Sequence, residues 1–187
     1  RGVVGDFDRH LDRIPRAGAR LIAFLGSTIG NFAPVHRARF LAELAGTMDG
    51  DDSLLLGTDL VKERRVLEAA YNDDQGVTAE FNRNVLRVVN RHLQGDFDPE
   101  AFDHVAQYNA EAERIETYLR SRVSQSVRVQ ALDLEVEFER GERMRTEISR
   151  KFTRESVDLM LAEAGLTLEH WFTDPAHTFA LSLSRPL

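Results

Sequence analysis

Residues 21–32 read LIAFLGSTIGNF, an unbroken apolar run that stops in Gly-Ser-Thr-Ile-Gly-Asn. An apolar run of this length, bounded by glycine, predicts a strand covered on both faces, as in the parallel sheet of an α/β domain. The pattern returns at residues 52–60, DSLLLGTDL, which closes in Gly57, Thr58 and Asp59. Between the two runs Pro34 suits the first turn of a helix, and Val35, Ala38, Phe40, Leu41 and Leu44 supply an apolar stripe that ends at Gly46. Upstream, VVGDF at residues 3–7 reads as the end of another strand, and DRHLDRIPRAGA at 8–19 as a connector or short helix ending in a turn. The order strand, strand, helix, strand with crossover-like spacing is that of a piece of doubly wound α/β sheet.

Beyond residue 60 the composition changes. Residues 61–94 are charged and helical in period, broken near Asn72 to Gly76, and the second half is amphipathic through Phe81, Val85, Leu86, Val88, Val89, His92 and Leu93. Asp98 and Pro99 open another short helix. In VRVQALDLEVEFERGERMRTEISRKF a period of two puts Leu132, Leu134, Val136 and Phe138 on one face, and Met144, Thr146 and Ile148 return after Gly141, which predicts an antiparallel hairpin. Thr153 caps a helix with the stripe Val157, Met160, Leu161 and Ala164, closed by Gly165. LEHWFTD and TFALSLS finish as two strands around an Asp-Pro turn. The expected organisation is an α/β core over 1–60, an α+β insert over 61–150, and a return to the core over 151–187.

Composition narrows the function classes. The 187 residues are 42% hydrophobic, enough for one substantial core or parts of two. The absence of cysteine excludes disulfides and thiolate metal sites and is compatible with a cytoplasmic location. A net charge of -7 argues against nucleic acid, which needs a basic face. No stretch approaches the roughly 20 apolar residues that span a bilayer, and no heptad or apolar patch is evident, so a monomer without a membrane partner is expected. The chain opens on Arg1, and no glycine-rich nucleotide loop follows any predicted strand, which leads us to expect a fragment.

Candidate chemistry falls at few places. Ligands of open α/β sheets bind just outside the carboxyl ends of the strands, where Gly26 to Asn31 would lie; the alternative is an ordinary strand-to-helix loop with Asn31 as a cap. Glu147 and Ser149, at positions i and i+2 of a strand, share a face about 6 to 7 Å apart. Together they could grip the two nitrogens of an imidazole, one wanting a donor and the other an acceptor. The alternative is a solvated face on which Arg145 and Lys151 pair with acids across the hairpin. Asp6 could accept from an exocyclic amine while Phe7 packs on a flat ring, or the two could simply cap a helix and fill a core. Tyr71, at the helix break, could donate to a carboxylate or be half-buried packing. The six histidines show no metal-binding spacing, and no nucleophile motif is present.

Several motifs in order carry a resemblance: GDF at 5–7, FLGSTIGNF at 24–32, LLLGTDLVK at 54–62, YNDDQGVTAEFNRNVL at 71–86 and TEISRKF at 146–152. On them the chain resembles the S-adenosylmethionine-dependent L-histidine Nα-methyltransferases, which form hercynine for ergothioneine biosynthesis. The resemblance implies a class I methyltransferase core, Rossmann-like, with an inserted α+β substrate-binding domain, S-adenosylmethionine as methyl donor, L-histidine as substrate and no metal. It also implies that the glycine-rich cofactor loop belongs to an N-terminal segment preceding Arg1, which becomes an expected partner. By the same resemblance Asp6 and Phe7 meet the adenine, and Gly26 and Ser27 line the boundary between cofactor and substrate. Asn31 and Tyr71, the catalytic pair, hold the amine and carboxylate of the amino acid. Glu147 and Ser149 hold the imidazole, and Thr78 joins through water. Thr117, within RIETYL, stands where the family often has methionine, so Thr117 and Glu147 are the positions that separate histidine from another aromatic amino acid. A fragment inactive without its N-terminal segment is the remaining alternative.

Overall fold

The computed structural model describes residues 2–15 and 18–187; Arg1 and, in the predicted connector, Arg16 and Ala17 lie outside the described residues. In chain order the elements are β1 (Leu21–Phe24), α1 (Pro34–Gly46), β2 (Ser53–Asp59), α2 (Arg64–Tyr71), α3 (Val77–Leu93), β3 (Phe102–Asn109), β4 (Arg114–Ser121), β5 (Gln125–Val129), β6 (Leu134–Phe138), β7 (Arg143–Arg150), α4 (Arg154–Glu163), β8 (Leu166–Thr173) and β9 (Phe179–Pro186). They form two compact units. One runs through Val61 and resumes from Arg150 to Leu187; the other is Lys62–Ser149.

The first unit is a mixed four-stranded sheet in the order β1-β2-β9-β8. β1 and β2 are parallel, with Leu21 opposite Ser53 and Phe24 opposite Leu56, and α1 is their crossover. β9 returns antiparallel to both β2 and β8. Leu54 and Leu56 of β2 pack under Phe40, Leu41 and Leu44 of α1 and Val157 and Leu161 of α4, so both helices bury their apolar stripes on one core. α4 starts at a capping box in which Ser156 N–H donates to Thr153 Oγ1 (3.1 Å) and Thr153 N–H to Ser156 Oγ (3.0 Å). It ends at Gly165 in the left-handed region.

Three expectations change here. Among the described residues β1 is not covered on both faces and lies at the edge of its sheet, its Ile22 and Phe24 partly buried while Leu21 remains 62% exposed. VVGDF forms no strand. Asp6 C=O accepts from the N–H of Arg9 and His10 and its carboxylate from Asp8 N–H, local turn bonds that replace a ladder, and Val4 is 98% exposed. In α1 the buried positions are Arg37, Phe40, Leu41 and Leu44; Val35 is 84% exposed and Ala38 exposed. Five residues before Phe40, Val35 lies about 140° around the helix from it.

In the second unit α2 and α3 accompany a sheet in the order β3-β4-β7 and a separate two-stranded ribbon, β5-β6. β3 and β4 pair antiparallel from Phe102–Ser121 to Asn109–Arg114. Leu86, Phe97, Phe102, Leu119, Val127, Val129 and Phe138 form the main core, and Leu67, Ala106 and Ile115 a smaller one. The predicted hairpin across Gly141 has the wrong partners. β6 pairs with β5, Val136 opposite Val127, because Gly141 N–H and the Glu142 C=O are taken by Ser121 at the end of β4, which draws β7 into the other sheet. Leu132 and Leu134 are exposed in consequence. The stripe expected on α3 is also divided: Leu86 is buried and Val89 and Leu93 pack on the core, while Phe81, Val85, Val88 and His92 are exposed.

Candidate active site

In the first unit the candidate residues follow β1. Gly26 and Ser27 both stand in the left-handed region, at φ of 77° and 58°, so the chain turns sharply at the strand's carboxyl end. Buried Ser27 accepts from Asp59 N–H at 2.9 Å, joining the loop after β1 to the end of β2. Asp59 in turn meets Lys151 Nζ at 2.8 Å, and the Lys151 side chain is buried. A 3-10 turn, Thr28–Asn31, comes next, and its Gly30 lies so close to the chain that an added Cβ would stand 2.7 Å from Arg150 O. Asn31 is exposed and does not cap α1, whose N-cap is Ala33.

Asp6 and Phe7 border a shallow hollow of about 140 Å³ with His10, Leu11 and Ile14. The Phe7 ring packs against Phe24 (5.5 Å between centroids), Phe40 (6.1 Å) and Phe32 (6.4 Å) yet stays half-exposed. Asp6 thus orders a local turn and Phe7 joins an aromatic cluster, with half of the Phe7 residue left exposed. Gly26 leaves comparable room: the nearest atom to an added Cβ is Thr28 Oγ1 at 3.8 Å.

In the second unit β7 carries half-buried Glu147 and buried Ser149. Tyr71, at the last position of α2, donates its phenol to Ser149 Oγ at 2.8 Å, across 78 positions of sequence. The backbone of Tyr71 is fastened as well. His104 Nε2 lies 2.8 Å from Tyr71 C=O, and Asn82 Nδ2 lies 3.0 Å from His104 Nδ1 and 3.1 Å from Tyr118 C=O. Both carbonyls only accept, so the network assigns the ring proton to Nε2 and the Asn82 amide as donor to Nδ1. Thr117 is buried on β4, and its carbonyl accepts from Thr146 Oγ1 at 3.1 Å. Thr78 is committed to the turn before α3: its hydroxyl and N–H, with Val77 N–H, go to the Asp73 carboxylate and hold its pKa down to about 2.

The second unit therefore brings Tyr71 and Ser149 into contact, sets Thr117 and Glu147 on adjacent strands, and places Thr78 in a helix-start motif. Sequence reasoning missed several supporting groups. Lys151, which the alternative reading put on a solvated face paired with an acid, does pair with an acid but is buried. Arg145 faces Glu116 at 3.7 Å, and Glu116 is buried, its carboxyl held below the usual range first by the Tyr118 hydroxyl and then by Arg114. Asn82, the one buried polar residue of α3, was the available signal for the Tyr71 network. Among the described residues no group of three histidine, aspartate or glutamate side chains could hold a metal ion, and no helix is long and apolar enough to cross a membrane.

Comparison with known proteins gives one consistent result. The family described as histidine-specific methyltransferase, SAM-dependent, matches residues 1–186. The histidine N-alpha-methyltransferase of Mycolicibacterium smegmatis is 60% identical over 182 residues, covering 97% of this chain and 57% of that protein. The protein of the same name from Mycobacterium tuberculosis is 58% identical over the same shares of each. Ergothioneine biosynthesis protein 1 of Schizosaccharomyces pombe is 28% identical over 65% of this chain and 16% of its own length. The chain thus spans little more than half the length of the curated bacterial relatives it matches.

Proposed function

Because this chain belongs to the histidine-specific, SAM-dependent methyltransferase family, we propose that it methylates the α-amine of L-histidine from S-adenosylmethionine, three times, giving hercynine for ergothioneine biosynthesis. The observation that carries the substrate reading is the β7 pair: Glu147 beside a buried Ser149 that already receives the Tyr71 phenol. A carboxylate and a hydroxyl two residues apart on a strand suit the two unlike nitrogens of an imidazole. Thr117, buried on the neighbouring strand, is the position most able to alter the choice of aromatic amino acid.

The cofactor reading rests on the half-exposed Phe7 ring, the adjacent Asp6 carboxylate and the open backbone at Gly26, next to buried Ser27, which fit an adenine face, its exocyclic amine and a close approach to the strand end. S-adenosylmethionine supplies a methyl group on a positively charged sulfur. The residues of this chain align and hold a neutral amine. An amine so held would form its bond to the methyl carbon as the carbon–sulfur bond broke, the sulfur leaving with the electron pair. Asn31 and Tyr71 are assigned to hold the amine and carboxylate, so the reaction asks for positioning more than for acid or base strength. Loss of one proton per round restores a lone pair until the third methyl leaves none, which ends the sequence.

In this reading residues 61–150 are the substrate domain inserted into a Rossmann-like methyltransferase core, 1–60 and 151–187. The glycine-rich cofactor loop is assigned to sequence outside these residues, and the working protein is taken as a monomer. Calorimetry on the full-length protein tests the Glu147 assignment. Glu147→Ala should weaken histidine binding by about 1 to 3 kcal/mol, the cost of an unpaired buried polar group, and leave S-adenosylmethionine binding unchanged. Equal losses for both ligands would reject it.

A further inference from the structure

The first unit holds a second concave site, between α1 and α4, that the methylation reading does not use. It is a cleft of about 180 Å³ bordered by Arg37 of α1, Arg150 at the end of β7, and Ser156 and Glu163 of α4. Arg37 takes an inner position of the α1 stripe and is only 7% exposed. Its guanidinium lies 5.7 Å from the centre of the Phe152 ring, and that of Arg150 lies 5.5 Å from the same ring. Among the described residues the Arg37 side chain has neither a hydrogen bond nor an ion pair, leaving five N–H donors and a full charge without a counterpart. Burial and the charge of Arg150 pull its pKa down to about 10. Glu163 acts in the opposite direction but less strongly than Arg150.

The contrast within the same unit is instructive. Arg20, its side chain 11% exposed, meets the buried Asp52 carboxylate through both Nε (3.0 Å) and a terminal nitrogen, and Thr47 C=O takes a further bond at 2.6 Å. Lys151, fully buried, is matched likewise by Asp59 at 2.8 Å, whereas Arg37 opens onto a cleft beside a second guanidinium. We propose that this cleft binds a small tetrahedral oxyanion, of the phosphate or sulfate kind, between Arg37 and Arg150. Guanidinium forks match such oxygens in charge and geometry. The size limits the ligand: clefts for drug-sized molecules run from about 300 Å³ upward, whereas this one has room for an ion and a few waters at about 30 Å³ each.

The test is calorimetry and thermal unfolding of the full-length protein in phosphate-free buffer at fixed ionic strength, titrated with inorganic phosphate, sulfate or acetate. Wild type should bind phosphate and sulfate saturably, more tightly than planar acetate, and its unfolding midpoint should rise with phosphate. Arg37→Gln should weaken phosphate binding at least about tenfold and abolish that rise. Without phosphate Arg37→Gln should be at least as stable as wild type, because an uncompensated buried charge has been removed. Arg37→Lys, which keeps the charge without the fork, should bind between the two and provides the comparison should the glutamine variant fold poorly. Absence of a saturable phosphate heat in wild type, acetate binding as tightly as phosphate, or an equal midpoint rise in wild type and variants would overturn the proposal.

Discussion

At the scale of single residues, the candidate site depends on groups that leave no alternative. Gly30 is the sharpest case. A methyl group there would meet Arg150 O at 2.7 Å, and the obstacle is backbone rather than a movable side-chain tip. Gly30→Ala should therefore destabilise the protein by about 1 to 3 kcal/mol, as overpacking does, measured as a lower denaturation midpoint at unchanged slope. A midpoint equal to wild type would mean that the turn after β1 yields freely. Residue types at this scale were partly legible: the i, i+2 spacing places Glu147 and Ser149 on one strand, β7, as the sequence implied. The bond from Tyr71 to Ser149 was not, since nothing local to either residue specifies a partner 78 positions away. For Lys151 the pairing with an acid in the alternative reading holds but its solvated location does not: charge on a strand is usually solvated, whereas here the side chain is buried against Asp59.

Elements were legible where chemistry punctuates the chain. Asn72 to Gly76 separates α2 from α3, Pro34 opens α1, and Thr153 and Gly165 bracket α4, each through a local backbone requirement that the residue itself meets. Partners were less legible. A period of two identifies β6 and β7 as strands but cannot say that Ser121 will capture the turn between them. The start of α3 gives a pH-dependent consequence. Asp73 binds Thr78 and Val77, and its pKa falls from 3.8 to about 2, so the folded form favours the carboxylate. That contribution is complete above the unfolded pKa and is lost as pH falls from there toward the folded value. Hydrogen exchange at the Val77 and Thr78 amides should accelerate across this acid range in wild type and be fast at neutral pH in Asp73→Ala. Equal protection in the variant would remove Asp73 from the role.

For the whole molecule, the parallel β1-α1-β2 crossover was legible because its parts are adjacent in sequence. The insertion of β9 between β2 and β8 was not, because β9 pairs with a strand more than a hundred positions earlier, as in Leu54 opposite Ser184. The division into one unit closed by distant segments and another formed by Lys62–Ser149 gives the chain separate cores. Under the proposed function Asp6, Phe7, Gly26 and Ser27 meet the cofactor, and Glu147 and Ser149 the imidazole. The decisive measurement for methyl transfer to the histidine amine is mass spectrometry of L-histidine incubated with S-adenosylmethionine and the full-length protein. Singly and doubly methylated histidine should pass through and trimethylated histidine accumulate as the end point, with no further mass gain. Histidine recovered unmodified, while S-adenosylmethionine is consumed on another aromatic amino acid, would overturn the proposed function.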